Sequence, residues 1–489
     1  MDLPRFELTS LQLEPQRLAL LASQALLPFL RRQRWFGTRT KAVSTASFDD
    51  VLPIPGAPAP LALVLATVAF DDASRQSWQL LLAAADPRTV SEDDAIAFVD
   101  LPDGTACIYD ALRSPADCNQ LVSSLLSCSG WTSSRGRCNV VASDLLRSLA
   151  RPSVVTPLGV DQSNTSLLLG QGALMKLFRR VEPGPNPDVE LADLLTSLGF
   201  AHAPRLLGHV SWIPDDGAPR TLAAFHEFVP NEGDGWNDAL REVRAAFDDP
   251  SGPRIASYAS RARDLGITTG RLHRALAHGT SADFAPEPVT PSDLERWHDR
   301  MIASLRRVAS DLDHSTVQAV EDVFLRLPSV RSPGLKCRIH GDLHLGQVLL
   351  ASGRWVVFDF EGEPLRPVAE RREKHSPLRD VAGMLRSFDY AAHAALLERS
   401  APGSRDWKRL EPSADRWASS ARDAFTAGWR SAVQDAGFLP EQTSDLHFLM
   451  DVFELEKAVY ELGYELAHRP DWSPIPTLGI RRIAERSTP

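Results

Sequence analysis

Along residues 154–180 short apolar runs alternate with polar turns. The runs cover 154–160, 166–169 and 173–178, with Lys176 inside the last, and the turns are Asp161-Gln162-Ser163-Asn164-Thr165 and Gly170-Gln171-Gly172. That rhythm predicts three strands. A further strand is expected over 222–229, running out into Pro230-Asn231-Glu232-Gly233-Asp234-Gly235-Trp236, a Pro- and Gly-bearing segment that reads as a hinge. Beyond it the period changes. Apolar residues recur at helical spacing over 256–276 and, in two stripes, over 293–325. The runs 348–350 and 355–358 flank a Ser352-Gly353 turn and predict a hairpin. Before residue 145 the pattern is mixed: helical spacing over 14–36, strand-like runs over 61–70 and 78–84, a loop marked by Pro53, Pro55, Pro58 and Pro60, and helices over 118–126 and 142–149. Three regions follow: an α+β cap over 1–145, a strand-rich region over 146–230 and a mainly helical region over 231–489.

At 489 residues the chain exceeds one ordinary core. Hydrophobic residues make up 43% and charged residues 24%, the balance of a folded chain. With net charge −10 and dispersed Lys and Arg, nothing asks for a nucleic-acid partner. The one basic aromatic patch, Arg31-Arg32-Gln33-Arg34-Trp35-Phe36, is expected to turn its rings inward and leave its arginines in water. No apolar stretch reaches membrane-spanning length, and the acidic N-terminus lacks the apolar centre of a signal peptide, so a cytoplasmic protein without a membrane partner is expected. Cys107, Cys118, Cys128, Cys138 and Cys337 form no Cys-x2-Cys pair and read as free thiols.

The candidate chemistry lies in two stretches, Arg338-Ile339-His340-Gly341-Asp342-Leu343-His344-Leu345-Gly346-Gln347 and Trp355-Val356-Val357-Phe358-Asp359-Phe360-Glu361-Gly362-Glu363-Pro364. The hairpin between them places Asp342, Gln347 and Asp359 on neighbouring turns. Phosphoryl transfer needs a carboxylate to orient the attacking hydroxyl and oxygen ligands to hold Mg²⁺ on nucleotide phosphates, and these three residues are of those types. In a nucleotide-binding sheet the turn 161–165 would drape amides and small hydroxyls over phosphates that Lys176 also reaches, although a solvent-facing hairpin lysine has the same pattern. Asn186-Pro187-Asp188 opens a helix whose first turn carries Glu190, placed to pair with Lys176. Backbone groups around Glu227 to Val229 would meet an adenine edge. Lys457, Tyr460 and Tyr464 share one helical face, fit either for stacking on a sugar or for packing. His273 reads as a core histidine.

The His-x-Asp-x4-Gln segment followed one hairpin later by Asp359-Phe360-Glu361 resembles the catalytic stretch of the eukaryotic-type kinase and aminoglycoside phosphotransferase superfamily, with Gln347 where Asn is usual. The chain more closely resembles the bacterial maltokinase family. That likeness runs through Arg34-Trp35-Phe36, Gln162-Ser163-Asn164-Thr165-Ser166, Lys176-Leu177-Phe178-Arg179-Arg180, residues 231–236, Glu370-Arg371-Arg372, residues 376–388 and Leu455-Glu456-Lys457-Ala458-Val459-Tyr460-Glu461-Leu462 with Tyr464-Glu465. It is weakest in the cap, where Phe36-Gly37-Thr38-Arg39-Thr40-Lys41 departs from the family pattern.

The resemblance implies an α+β, bilobal protein-kinase-like (aminoglycoside phosphotransferase-like) fold with an N-terminal α+β cap. It implies ATP and Mg²⁺ as cofactors, with ATP between the lobes, and phosphorylation of maltose at its anomeric hydroxyl. Asp342 would be the catalytic base, Gln347 and Asp359 the Mg²⁺ ligands, Lys176 and Glu190 the phosphate-positioning pair, residues 163–166 the phosphate loop, and Lys457, Tyr460 and Tyr464 the sugar contacts. Asp380, Arg386 and Glu363 would organise the site by buried pairing. The family's link to trehalose synthase makes that enzyme a candidate partner. A kinase for glucosamine or an aminoglycoside would keep every nucleotide-side residue, and a kinase-shaped tether for trehalose synthase is an alternative without catalysis.

Overall fold

The computed structural model describes residues 3–8, 19–37, 41–57, 60–149, 154–159, 163–215, 217–248, 253–364 and 366–487. Among them the strand rhythm after residue 154 closes into an antiparallel sheet. Strands β7 (Gly130–Thr132), β8 (Gly136–Ala142), β9 (Val155–Leu158), β10 (Thr165–Leu169), β11 (Ala173–Leu177), β13 (Leu206–Pro214) and β14 (Arg220–Glu227) run in the order β7-β8-β13-β14-β11-β10-β9. Register sets Lys176 opposite Ser166 on β10 and Ala224 on β14. Side chains alternate across a strand, so Ala173, Met175 and Leu177 enter the core while Lys176 lies on the other face.

A second sheet precedes it. Strands β1 (Arg5–Glu7), β2 (Val43–Pro53), β3 (Leu61–Phe70), β4 (Arg75–Ala85), β5 (Ala95–Leu101) and β6 (Gly104–Asp110) run in the order β1-β5-β6-β4-β3-β2. The run Leu61–Phe70 is apolar without alternation because both of its faces are covered. Leu61, Leu63 and Leu65 join a core with Leu167, Met175, Phe225 and helix α1 (Pro115–Ser127). Ala62, Val64, Ala66 and Val68 face Leu26, Phe29, Leu30 and Phe36 instead. The helix expected over 14–36 is described from residue 19 and includes Ala22–Leu26 and Leu27–Arg32. Phe36 is buried, Trp35 half-buried, and Arg31 and Arg34 are exposed, as the charge pattern implied.

The boundary expected at 145 does not separate the sheets. Strands β7 and β8 lie before it yet belong to the same sheet as β9 to β11, β13 and β14, and the two sheets share one core; the first compact unit comprises Met1–Asp193, Pro204–Val229 and Pro364–Glu370. Arg179 ties the two sheets together. Its peptide carbonyl accepts from Gln79 N–H at 2.7 Å, the following strand β12 (Arg180–Val181) pairs with β4, and its guanidinium meets Asp110 at 2.7 Å and the Trp35 ring at 4.5 Å. Breaking a buried ion pair on one side strands a charge, at a cost of about 3–5 kcal/mol. Arg179→Met is expected to lower the unfolding free energy by about 3 kcal/mol, read from the urea midpoint. Adding Asp110→Leu should restore part of the loss. A midpoint unmoved by Arg179→Met would refute the tie.

The second unit, Leu194–Ala203, Pro230–Glu363 and Arg371–Pro489, is mainly helical. Helix α2 (Pro187–Ser197) begins in the first unit; the others used below are α3 (Gly235–Asp248), α4 (Pro253–Leu276), α5 (Pro291–Val308), α6 (His314–Leu325), α7 (Leu378–Arg399), α8 (Arg405–Val433), α9 (Thr443–His468) and α10 (Pro474–Ser487). The double stripe over 293–325 is the pair α5 and α6. Helices α4 and α8 touch backbone to backbone: a Cβ on Gly266 would lie 2.0 Å from Phe425 O, and one on Gly428 2.1 Å from Arg263 O. The expected hairpin is β15 (Val348–Ala351) and β16 (Arg354–Val357), and φ of 49° at Ser352 and 71° at Gly353 gives the two left-handed residues of a type I′ turn. All five cysteines are free, and burial pushes the thiols of Cys118 and Cys337 up to about 12.

Candidate active site

The loop after Arg338 is held from behind by Asp380 in the first turn of α7. One carboxylate oxygen accepts from His340 N–H at 2.8 Å, the other from Gly341 N–H at 2.9 Å. His273 and Trp429 complete this support. An indole N–H can only donate, so Trp429 Nε1 donates to His273 Nδ1 at 3.0 Å, and the other ring nitrogen, Nε2, donates to Asp380 at 3.2 Å. His273 is thus the core histidine expected, with a fixed tautomer.

His340 explains the His-x-Asp spacing. The Phe358 carbonyl, 3.0 Å from His340 Nε2, can only accept, so Nε2 carries the proton and Nδ1 accepts from Asp342 N–H at 3.4 Å. One ring therefore joins the turn bearing Asp342 to the residue before Asp359. Gly341 supplies φ +83° for the turn, and Leu345 N–H donates to Ser387 Oγ at 3.0 Å. Asp359 itself adopts φ +65°, unusual for a residue with a Cβ, and its Oδ2 accepts from Gln347 Nε2 at 3.0 Å. The two expected metal ligands are together.

Lys457, near the middle of α9, places its ammonium between two carboxylates, 3.1 Å from Asp342 Oδ1 and 3.0 Å from Glu363 Oε1. Burial works against that charge, but Asp342 and Glu363 outweigh it and hold the lysine well above its usual range. Arg379 meets Glu456 at 2.8 Å on the same side. These groups, with Gly383 and Tyr460, line a recess of about 320 Å³ that includes the open space at its mouth. Tyr460 lies 4.9 Å from the Lys457 ammonium. Tyr464, one turn further, is exposed, stacks on His468 at 4.4 Å and does not line the recess. His344 accepts from Gly346 N–H at 3.0 Å, its Nε2 lies 4.0 Å from Asp342, and burial lowers its pKa, so it faces Asp342 as a neutral ring at pH 7.

In the first unit Lys176 is buried and lies 3.4 Å from Asp188, which also meets His226 at 3.2 Å. Asp188 was not singled out from sequence, although Asn186 Oδ1 accepting its N–H at 2.8 Å fixes it where the motif begins. Glu190 lies two residues further along the same first turn. Gln162 lies outside the described residues. Ser163 is exposed and Ser166 half-buried. Asn164 accepts from Arg179 N–H at 3.3 Å and Thr165 from Arg179 Nε at 2.8 Å, so these two side chains serve the tie between the sheets here. Glu227 forms a two-bond ion pair with Arg205 at 2.8 and 2.9 Å. Its N–H donates to Arg205 O and that of Phe228 to Gly172 O, so neither is left for a base edge before Val229.

Two family models match the chain: the phosphotransferase enzyme family over residues 154–413, and the maltokinase N-terminal cap domain over residues 29–113. A glucosamine kinase of Mycolicibacterium smegmatis is 28% identical over 345 residues, 68% of this chain and 80% of that protein. A glucosamine kinase of Streptacidiphilus jiangxiensis is 28% identical over 336 residues, 66% of this chain and 71% of that protein. The solved structure of a glucosamine kinase in complex with glucosamine, ADP and inorganic phosphate superposes with TM-score 0.65 at 21% identity, covering 95% of this chain and 98% of that one. That likeness shows a shared kinase-like α+β fold. Because the first family model spans more than half of the sequence and the stretch around Asp342 lies inside it, the chain belongs to the phosphotransferase enzyme family, with a cap of the maltokinase type.

Proposed function

We propose that the protein is an ATP-dependent sugar kinase that phosphorylates maltose at the anomeric hydroxyl, giving maltose 1-phosphate and ADP. The observation that carries the choice of acceptor is Lys457. Its ammonium already neutralises Asp342 and Glu363 in the recess, and Arg379 does the same for Glu456. A cationic amino group would meet a fixed positive charge there, whereas a neutral sugar finds donors and acceptors without that repulsion. The match to a maltokinase cap supports the same reading. The names of the two curated relatives favour glucosamine as the rival acceptor.

In this reading Asp342 orients the anomeric hydroxyl and takes its proton as the oxygen bonds to the γ-phosphorus and the bond to ADP breaks. Lys457, 3.1 Å from its Oδ1, fixes Asp342 in direction. Lys176, held by Asp188, neutralises charge on the nucleotide phosphates. The donor set of Asp359 and Gln347, one carboxylate and one carboxamide oxygen, fits a hard divalent cation that takes its remaining ligands from phosphates and water. These two residues would hold Mg²⁺, which when bound neutralises charge on the transferring group.

The test is ADP release with Mg·ATP against maltose, glucose, glucosamine and trehalose, with the phosphorylated carbon read by phosphorus and carbon NMR. Turnover confined to maltose, with an anomeric phosphate, is expected. Equal or better turnover on glucosamine would discard maltose and keep the kinase. Absence of turnover on every acceptor, together with co-elution with trehalose synthase, would favour the tether instead.

A further inference from the structure

The second unit holds another cavity, of about 780 Å³ including the space at its mouth, between α7, α8, α9 and α10. It shares no lining residue with the recess around Asp342. We infer that it is a binding site for an uncharged, hydroxyl-rich ligand, a saccharide. With the open space at the mouth left out, about 300 Å³ remains, the lower end of the range of ligand sites, about 300–1,000 Å³.

The pairing of its charges decides the ligand class. Arg422 donates to both oxygens of Glu454, at 2.7 and 3.1 Å, and to Asp389 at 3.0 Å. Arg482 holds both oxygens of Asp415, at 2.9 and 3.2 Å. Arg486 reaches Asp451 and Glu454, and Arg386 reaches Asp389 and Glu461. Every lining guanidinium has its charge balanced by a carboxylate while keeping N–H groups to spare, so a phosphate or carboxylate gains no unpaired cation and an ammonium no unpaired acid.

Two buried lining nitrogens lack a hydrogen bond: Arg386 Nη2, which still lies 2.9 Å from the Glu461 carboxylate, and a ring nitrogen of His393. His393 is 4% exposed, and its Nδ1–H donates to the Asp389 carbonyl at 2.9 Å because that oxygen can only accept. Its Nε2 is buried with no hydrogen bond, the nearest acid being Asp415 at 3.8 Å. In the neutral ring Nε2 is an acceptor, and a buried acceptor left unsatisfied is costly. A ligand hydroxyl donates to it and, through its own lone pairs, accepts from the neighbouring guanidinium groups. Ala418, Ile475 and Leu478 supply apolar surface for the C–H face of a sugar ring.

The experiment is hydrogen–deuterium exchange of the full chain with glucose, maltose and maltotriose, each against inorganic phosphate at equal concentration. Peptides from 386–399, 415–422 and 474–487 are expected to exchange at least threefold more slowly with at least one saccharide and unchanged with phosphate. The exposed Ser419 lines the mouth, so Ser419→Trp should fold normally and abolish that protection. His393→Phe, which keeps the packing and removes the acceptor, should weaken it at least fivefold. Protection by phosphate, by no saccharide, or undiminished in Ser419→Trp overturns the proposal. The readout needs no turnover, so failure of maltose as acceptor leaves it standing.

Discussion

Asp342→Asn is expected to lower kcat by about three orders of magnitude, within the ~10²–10⁴-fold contributed by a positioned general base, while leaving nucleotide affinity near that of the parent. The substitution keeps the side chain's shape and removes only its ability to take a proton and to present a charge. Its effect on folding should be small, because Lys457 keeps Glu363 at 3.0 Å and is not left as a buried, unpaired cation. The backbone of the loop is also untouched, since Asp380 holds it at His340 and Gly341. Loss of activity with unchanged thermal unfolding and unchanged ATP binding by calorimetry is therefore the combined expectation. Turnover within tenfold of the parent would remove Asp342 from its assigned role.

The parts legible in sequence were those where one local rule dominated. The hairpin after Gln347 was readable because a Ser-Gly pair sits between two apolar runs, and it fixed where Asp342, Gln347 and Asp359 would meet. Helices α4, α5 and α6 kept a clear apolar period. The strands missed before residue 145 carry mixed signals: Val43–Pro53 contains Ser, Thr and Asp along its outer half, and Gly136–Ala142 begins with Gly and Arg. Their partners in the sheet supply what their own sequence does not. The same holds for Asp188. A carboxylate in the first turn of a helix is ordinarily explained by the helix dipole, and only the register of β11, which sets Lys176 on the face away from the core, shows it as the lysine's partner. Lys457, Tyr460 and Tyr464 share a helical face as spacing required, but spacing cannot say where the recess ends, and Tyr464 lies outside it.

Asp380→Ala should cost both stability and activity, about 4 kcal/mol on the scale of breaking a buried, hydrogen-bonded charge from one side. Three donors lose their acceptor at once: the N–H groups of His340 and Gly341 and the Nε2–H of His273, in a place with almost no water, since Asp380 is 1% exposed. Asp380→Asn is not a conservative rescue, because its amide nitrogen would face one of the two loop N–H groups, donor against donor. The activity loss follows from position: the two amides it holds immediately precede Asp342. A pH signature separates this from simple loss of packing. Burial alone would raise the Asp380 pKa, but the hydrogen bonds it accepts from His273 and the Gly341 amide outweigh it and hold it below the usual carboxylate value. A lowered folded-state pKa stabilises fully above the unfolded value of about 3.9 and is lost as pH falls below it. The gap in unfolding free energy between parent and Asp380→Ala should therefore be largest near pH 7 and narrow below about pH 4. A gap that stayed constant with pH would mean that the carboxylate charge contributes nothing, and wild-type turnover in the variant would mean that the loop keeps its shape without this anchor.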